Sequence, residues 1–228
     1  MGIAVNRTVV ILLASGLSRR FGWRDKLLQK LGDRLLVDHA ADAAAGLDAL
    51  ARVAVCPEDH PKIGERLTGK FVIAVNREKA RGMGHSIAVG VRVALQFRPD
   101  AVAICMADMP FIEPGLIRQV IETLGGSQGA NIAHSGSVDG PRPPTAFDAS
   151  CFGVLQQLDG DEGARDVMRQ ARFKVVALKA PEPLLTDIDT REDLEHARKL
   201  MAVREKHLRQ DLRGDLRGDQ GSGAVGED

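Results

Sequence analysis

The run Thr8-Val-Val-Ile-Leu-Leu-Ala14 constrains this chain most: it is continuously β-branched and aliphatic, and it stops abruptly at Ser15-Gly16. A strand without alternating polar positions has to be covered on both faces, as in a parallel sheet between two helix layers. Runs of the same kind recur at 52–56, 71–75 and 101–106, and the stretches between them carry apolar residues at helical spacing. Leu36, Ala40, Ala43 and Leu47 predict a helix over 35–51, and Ile87, Val91 and Leu95 one over 86–96. Pro114, tolerated in a first helical turn, opens a third over 114–124. Strands and helices in alternation predict a mostly parallel, doubly wound α/β sheet.

The second half is less regular. Residues 130–134, 174–178 and 184–188 read as strands, 149–157 and 163–170 as short helices, and Gly140-Pro-Arg-Pro-Pro144 as a stiff loop. Thr190, with Asp193 three residues on, caps a helix expected to end near Glu205. Beyond it the chain is rich in Arg, Asp and Gly, with little apolar surface to offset the entropy of ordering. The expectation is one domain over 6–205 and a disordered polar tail over 206–228.

Lys plus Arg and Asp plus Glu both total 31, so the 228-residue chain has no formal net charge. That argues against wrapping nucleic acid, which demands a basic surplus. No apolar run approaches the ~20 residues needed to span a bilayer, and the first eight residues lack a signal peptide's apolar segment. Cys56, Cys105 and Cys151 are too widely spaced for a zinc knuckle and are odd in number. A reducing cytoplasm and buried thiols are expected.

The chemistry concentrates after the first strand, in Leu13-Ala-Ser-Gly-Leu-Ser-Arg-Arg-Phe-Gly22 followed by Trp-Arg-Asp-Lys26. Small residues let backbone N–H groups approach an anion at the edge where open α/β sheets bind ligands, and Arg19, Arg20, Arg24 and Lys26 offer positive charge. Neither a Walker loop nor G-x-G-x-x-G is present. A tight turn with a basic solvated rim would look the same.

With Leu13, Ala14, Gly16, Ser18, Arg20, Gly22 and Lys26 in register, this stretch resembles the signature of the nucleotidyltransferases that include the molybdenum-cofactor cytidylyl- and guanylyltransferases. Gly82-Met-Gly-His-Ser86, Met106-Ala-Asp-Met-Pro110, Pro144-Thr-Ala-Phe147 with Gly160-Asp-Glu-Gly-Ala-Arg165, and Asp187-Ile-Asp-Thr-Arg-Glu-Asp-Leu194 are similar to further family segments, in order. The likeness spans about residues 8–200. It departs at Ser15, where the cytidylyl branch usually has Ala and the guanylyl branch Gly, in the spacing from Gly22 to Lys26, at Ala107, and at Arg142-Pro143.

The resemblance implies a single three-layer Rossmann-like nucleotidyltransferase domain and an Mg²⁺-dependent transfer. The backbone at Ala14, Ser15 and Gly16 would contact base and ribose, with Gly82, Met83 and Ser86 closing the base pocket. Arg20 would hold the β- and γ-phosphates and Lys26 the α-phosphate; Asp108 and Asp189 would hold Mg²⁺, with Asp187 the other candidate. Arg142, Pro144 and Arg165 would face the acceptor, and His85 would only start a helix. The expected reaction is transfer of CMP from CTP to the phosphate of molybdopterin, with a molybdoenzyme or its chaperone as client. The lean to CTP rests on the absence of Gly at position 15. GTP as donor, another phosphorylated acceptor, or a non-catalytic delivery protein are the alternatives.

Overall fold

Every residue of β1 (Thr8–Leu13) is buried, as its unbroken aliphatic run requires. The computed structural model describes residues 2–16, 21, 25–137, 140–161 and 163–218, the side chains of 137 and 205–218 excepted. After β1 come the small hairpin β2 (Lys30–Leu31) and β3 (Arg34–Leu35), then α1 (Leu36–Ala45), β4 (Ala51–Pro57), α2 (Pro61–Leu67) and β5 (Val72–Asn76). α3 (Met83–Ala94), β6 (Ala101–Met106) and α4 (Pro114–Gly126) complete the first half. The second half holds β7 (Ile132–Ser137), β8 (Gly140–Asp148), α5 (Phe152–Leu155), α6 (Ala164–Met168), β9 (Val175–Lys179) and α7 (Arg191–Gly218).

Seven strands form one sheet in the order β5-β4-β1-β6-β8-β7-β9. β1 pairs in parallel with β4 and β6, β4 with β5, and β7 with β9, while β8 runs antiparallel to both β6 and β7. Side-chain alternation divides the core into two layers. Val10 and Leu12 of β1 join Val37 of α1, Ile63 of α2, Ile117 of α4 and Leu194 of α7 on one face. Val9, Ile11 and Leu13 join Ile87 and Val91 of α3, Leu155 of α5 and Val167 of α6 on the other. The three-layer, mostly parallel architecture read from the sequence is the one observed.

Several elements differ from that reading. α1 stops at Ala45, well short of 51, because Gly46 ends it and β4 already begins at Ala51. α2 and the β2–β3 hairpin carry too little periodicity to read. Residues 140–144, whose prolines predict a stiff loop, form the first part of β8. There Gly140, Pro141 and Arg142 pair with β7, and β6 joins only from Thr145 onward. Proline is tolerated where one side of a strand is unpaired. Over 184–188 no strand forms; a 3-10 turn, Glu182–Leu185, follows Pro181 and contains Pro183 instead. α7 runs on to Gly218, beyond the expected limit at 205. Leu208, Leu212 and Leu216 there keep a four-residue period within an otherwise polar composition. Residues 219–228 lie outside the described residues. No helix among those described is long and apolar enough to cross a membrane. The three cysteines are buried, their thiols pushed up to about 12 by burial, as expected of core residues and unlike nucleophiles.

Candidate active site

The chain leaves β1 toward one edge of the sheet through β4 and β5, then crosses back to lay β6 on the other side of β1. Open α/β sheets bind ligands at the carboxyl ends of strands where the order reverses in this way. Leu13 and Met106 face one another in register there, and the Ala107 amide donates to the Leu13 carbonyl at 3.0 Å. Ser15-Gly16 and Asp108 therefore emerge side by side.

Lys26 joins them from a 3-10 turn over Lys26–Leu28, capped by the Asp25 carboxylate, which accepts from the Leu27 amide at 2.9 Å. Leu27 is buried in the core and anchors the turn. The Lys26 ammonium donates to Asp108 Oδ2 at 2.7 Å and Asp189 Oδ1 at 2.8 Å, with its side chain only 7% exposed. Burial works against its charge, but the two carboxylates outweigh burial and raise its pKa above the ordinary lysine value. Burial also pushes Asp108 above the usual carboxylate range, against the pull of Lys26, with the charges of Asp189 and Asp187 adding to the rise. The second oxygen of Asp108, Oδ1, is buried without a hydrogen-bond partner among the described residues. Such an atom is costly to leave unmatched and calls for a cation or donor from a ligand.

Asp189 reaches this centre because the Ile188 amide donates to the Asp108 carbonyl at 2.9 Å, tying the two segments together. The Asp193 carboxylate accepts from the amides of Asp189 and Thr190 at 3.0 and 2.7 Å, and the Asp193 amide donates to the Thr190 hydroxyl at 3.1 Å. This reciprocal capping box, read in outline from Thr190 and Asp193, holds Asp189 still at the head of α7. Asp187, close enough for its charge to act on Asp108, pairs with the Arg142 guanidinium at 3.4 Å.

A cavity of about 290 Å³ opens between these groups and α3, lined by Ser15, Gly16, Lys26, Gly82, Met83 and Ser86 among others. Its floor is a buried polar knot that the sequence did not reveal. Ser15 Oγ donates to Ser86 Oγ at 2.9 Å, Asn76 Nδ2 donates to Ser86 Oγ at 3.0 Å, and Ser86 Oγ donates to the Gly82 carbonyl at 3.3 Å. Asn76 is 1% exposed at the end of β5, and its Oδ1 accepts from the Glu78 amide at 3.0 Å. A lone asparagine at a strand end carries no distinguishing pattern, so only the fold identifies it. Lys79, paired with Asp59 at 2.7 Å, also lines this cavity unannounced by the sequence, and Asp161 reaches it from the motif over 160–165, for which the resemblance implies no contact here. Ala14 does not line the cavity: its side chain packs into the core and its amide donates to the Val55 carbonyl at 2.9 Å. His85 sits buried in the first turn of α3, as expected of a helix-start residue. Arg20 and Trp23 lie outside the described residues.

A second cavity, about 450 Å³, adjoins the first and shares Met83, Met106, Asp108, Asp161 and Asp189 with it. Arg142, Pro143, Arg165 and Arg169 line its far side. Pro144 does not; it is buried between Pro143 and Thr145, which do.

A family model described as the MobA-like NTP transferase domain matches residues 10–175. The chain belongs to the MobA-like NTP transferase family. It is a nucleotidyltransferase. Among curated relatives it is 26% identical over 205 residues to the purine catabolism protein PucB of Bacillus subtilis, covering 84% of this chain and 96% of that one. The fold matches the homolog of Mycobacterium tuberculosis Rv0371c from Mycobacterium sp. strain JC1, with a TM-score of 0.74 at 22% identity over 86% of this chain and 98% of that one. A manganese complex of Rv0371C itself aligns with a TM-score of 0.65 at 20% identity, over 87% and 99%. The molybdopterin-guanine dinucleotide biosynthesis protein A of Archaeoglobus fulgidus aligns at 0.62 and 19%, over 85% and 98%.

Proposed function

We propose that the protein transfers CMP from CTP to the phosphate of molybdopterin, releasing pyrophosphate. The observation that carries this reading is the shared wall: Asp108 and Asp189 line both cavities, with Lys26 bridging their carboxylates. A nucleotide in the smaller cavity and a phosphorylated acceptor in the larger would meet at that wall. An acceptor phosphate oxygen attacks the α-phosphorus, the new P–O bond forms, and the bond to the β-phosphate oxygen breaks. Because the nucleophile is already an anion, no general base is needed, in keeping with the structural place of His85.

Lys26 neutralises charge at the α-phosphate, where it is greatest in the transition state. Gly16 and Met83, which line the smaller cavity, would meet the base and ribose. Arg20 would take the leaving phosphates, and Arg142 and Arg165 the acceptor. The residues fit a divalent cation: Asp108 has its unpartnered buried Oδ1, and Asp189 stands on the same lysine. Mg²⁺ is commonly held by one or two carboxylates together with substrate phosphates. Bound there, it would neutralise phosphate charge and fix the triphosphate for in-line displacement. The manganese complex of Rv0371C supports a divalent metal, and the Archaeoglobus protein supports a molybdopterin-type acceptor. Ser15 favours a pyrimidine, since its Cβ and hydroxyl fill the turn beside the base.

Pyrophosphate release, measured with each NTP and Mg²⁺ in the presence and absence of molybdopterin, tests the reading. Release with CTP that depends on molybdopterin is expected. Release with GTP alone would shift the assignment to guanylyl transfer. Nucleotide uptake without release under any condition would mark a delivery protein.

A further inference from the structure

The loop that opens α3 is fastened to the segment before α6 by contacts that the transfer chemistry does not use. The Gly160 amide donates to the Arg81 carbonyl at 2.9 Å, and the Gly84 amide donates to the Gly160 carbonyl at 2.8 Å. The Arg81 guanidinium grips Asp159 with both arms, at 3.1 and 2.8 Å, across 78 residues of sequence. The two backbones lie so close that side chains are excluded. Gly82 has φ +97, and a Cβ there would stand 2.5 Å from the Gly160 carbonyl; one on Gly84 would stand 2.7 Å from the Asp159 carbonyl. Met83 reaches across as well, its Sδ 3.3 Å from where a Cβ on Gly163 would be.

These contacts link two ligand sites. On one side, the Gly82 carbonyl accepts from Ser86, which is bonded to Ser15 in the turn after β1. On the other, segment 159–165 supplies Asp161, Ala164 and Arg165 to the larger cavity. Met83 and Asp161 line both cavities. Glycines confer little stiffness on their own, so the two backbone hydrogen bonds need a brace. A bidentate guanidinium–carboxylate pair fixes orientation as well as distance.

We propose that Arg81 and Asp159 are positioning residues that make segment 159–165 part of the nucleotide site, so that binding of nucleotide orders the acceptor cavity before the acceptor arrives. This rests on the nucleotide-transfer reading of the smaller cavity. By linkage, an acceptor held by 159–165 tightens the grip on nucleotide by the same factor. Arg81 and Asp159 are about half exposed, so the coupling is modest, a factor of about five or less. It modulates the site without holding the fold together.

Hydrogen exchange of the full chain, with and without saturating Mg·CTP or Mg·GTP, tests the coupling. In the parent, nucleotide is expected to slow exchange at 14–16 and 82–86 and also at 159–165. In R81Q or D159N, the nucleotide-induced protection of 159–165 falls about fivefold while that of 14–16 persists. R81Q/D159N together does no more than either alone, because the two act as one unit. A merely structural pair would change exchange at 159–165 equally with and without nucleotide. Protection confined to 14–16 and 82–86 in the parent, an unchanged nucleotide response in R81Q, or additive single variants would each overturn the coupling while leaving the nucleotide site intact. No protection anywhere, with either nucleotide, would overturn the nucleotide reading along with it.

Discussion

The two adjoining cavities are built differently. Around the smaller one, Ser15, Asn76, Ser86 and Lys26 are each less than 9% exposed; the first three hold one another, and Lys26 is held by two carboxylates. Around the larger one, the cations are looser: Arg142 is 30% exposed and meets the 45% exposed Asp187 at only 3.4 Å, while Arg165 is exposed. Buried, satisfied polar groups in low dielectric are stiff and costly to disturb; exposed arginines adapt and contribute little each. The first cavity suits a ligand whose geometry is fixed by chemistry at phosphorus. The second suits an acceptor recognised by charge. Substitutions in the first should therefore strike turnover and nucleotide choice, and those in the second should strike acceptor affinity.

The sharpest break should come at the shared wall. Asp108→Asn is expected to lower kcat by about 10²–10³, with nucleotide KM changed less than about threefold. Steady-state kinetics with CTP and molybdopterin checks this, and a variant with near-parental kcat would place the chemistry elsewhere. Lys26→Met should behave likewise in kcat and should also destabilise the fold by about 3–5 kcal/mol, because it leaves Asp108 buried and unpaired. The pH dependence has a definite sign. The Lys26 pKa is raised on folding, so its contribution is complete below the ordinary lysine value of 10.5 and fades as pH climbs through the raised value. Chemical denaturation of parent and variant should show a constant gap between pH 8 and 10 that narrows only above.

Ser15→Gly should shift the ratio of kcat/KM for CTP to that for GTP toward GTP by about tenfold, since pocket shape alone discriminates by 1–3 kcal/mol at most. The polar knot refines this expectation. Loss of the Ser15 hydroxyl leaves Ser86 bonded to Asn76, so the pocket should survive the change. An unmoved ratio would remove Ser15 from base selection. A smaller effect is expected on the other side: Arg142→Ala should raise acceptor KM by about threefold to tenfold and leave nucleotide KM alone.

The contrast between the cavities also explains how much could be read in advance. β1, β4 and β6 declare themselves because strands buried on both faces leave continuous apolar runs, and the ligand edge follows from where those runs end. Lys26, Asp108 and Asp189 were legible as charged residues placed at such ends within a resembling set of motifs, and the fold brings both carboxylates within 2.8 Å of the Lys26 ammonium. Asn76 and the Arg81–Asp159 brace were not. Their importance lies in contacts between segments distant in sequence, which no local period records. β8 escaped because its prolines speak against a strand; Pro141 is acceptable where only β7 pairs, and Pro143 and Pro144 fall in the break of register before Thr145.

The smallest effect belongs to the end of the chain. Among the described side chains of α7, Leu194 and Ala197 are buried, Leu200 and Met201 still pack on the core, and Val203 is 53% exposed. Deleting 207–228 should move Tm by less than about 2 °C, below what 1 kcal/mol costs a domain of this size. A drop of several degrees would show that this segment docks on the domain.

Competition in a single vessel tests the central claim most directly. The full-length protein is given equimolar CTP and GTP with Mg²⁺ and limiting molybdopterin, and the products are resolved by mass. A cytosine dinucleotide is expected as the dominant product from the parent, and neither dinucleotide from Asp108→Asn on the same timescale. A parent that makes chiefly the guanine dinucleotide, or an Asp108→Asn variant that keeps pace with the parent, would contradict it.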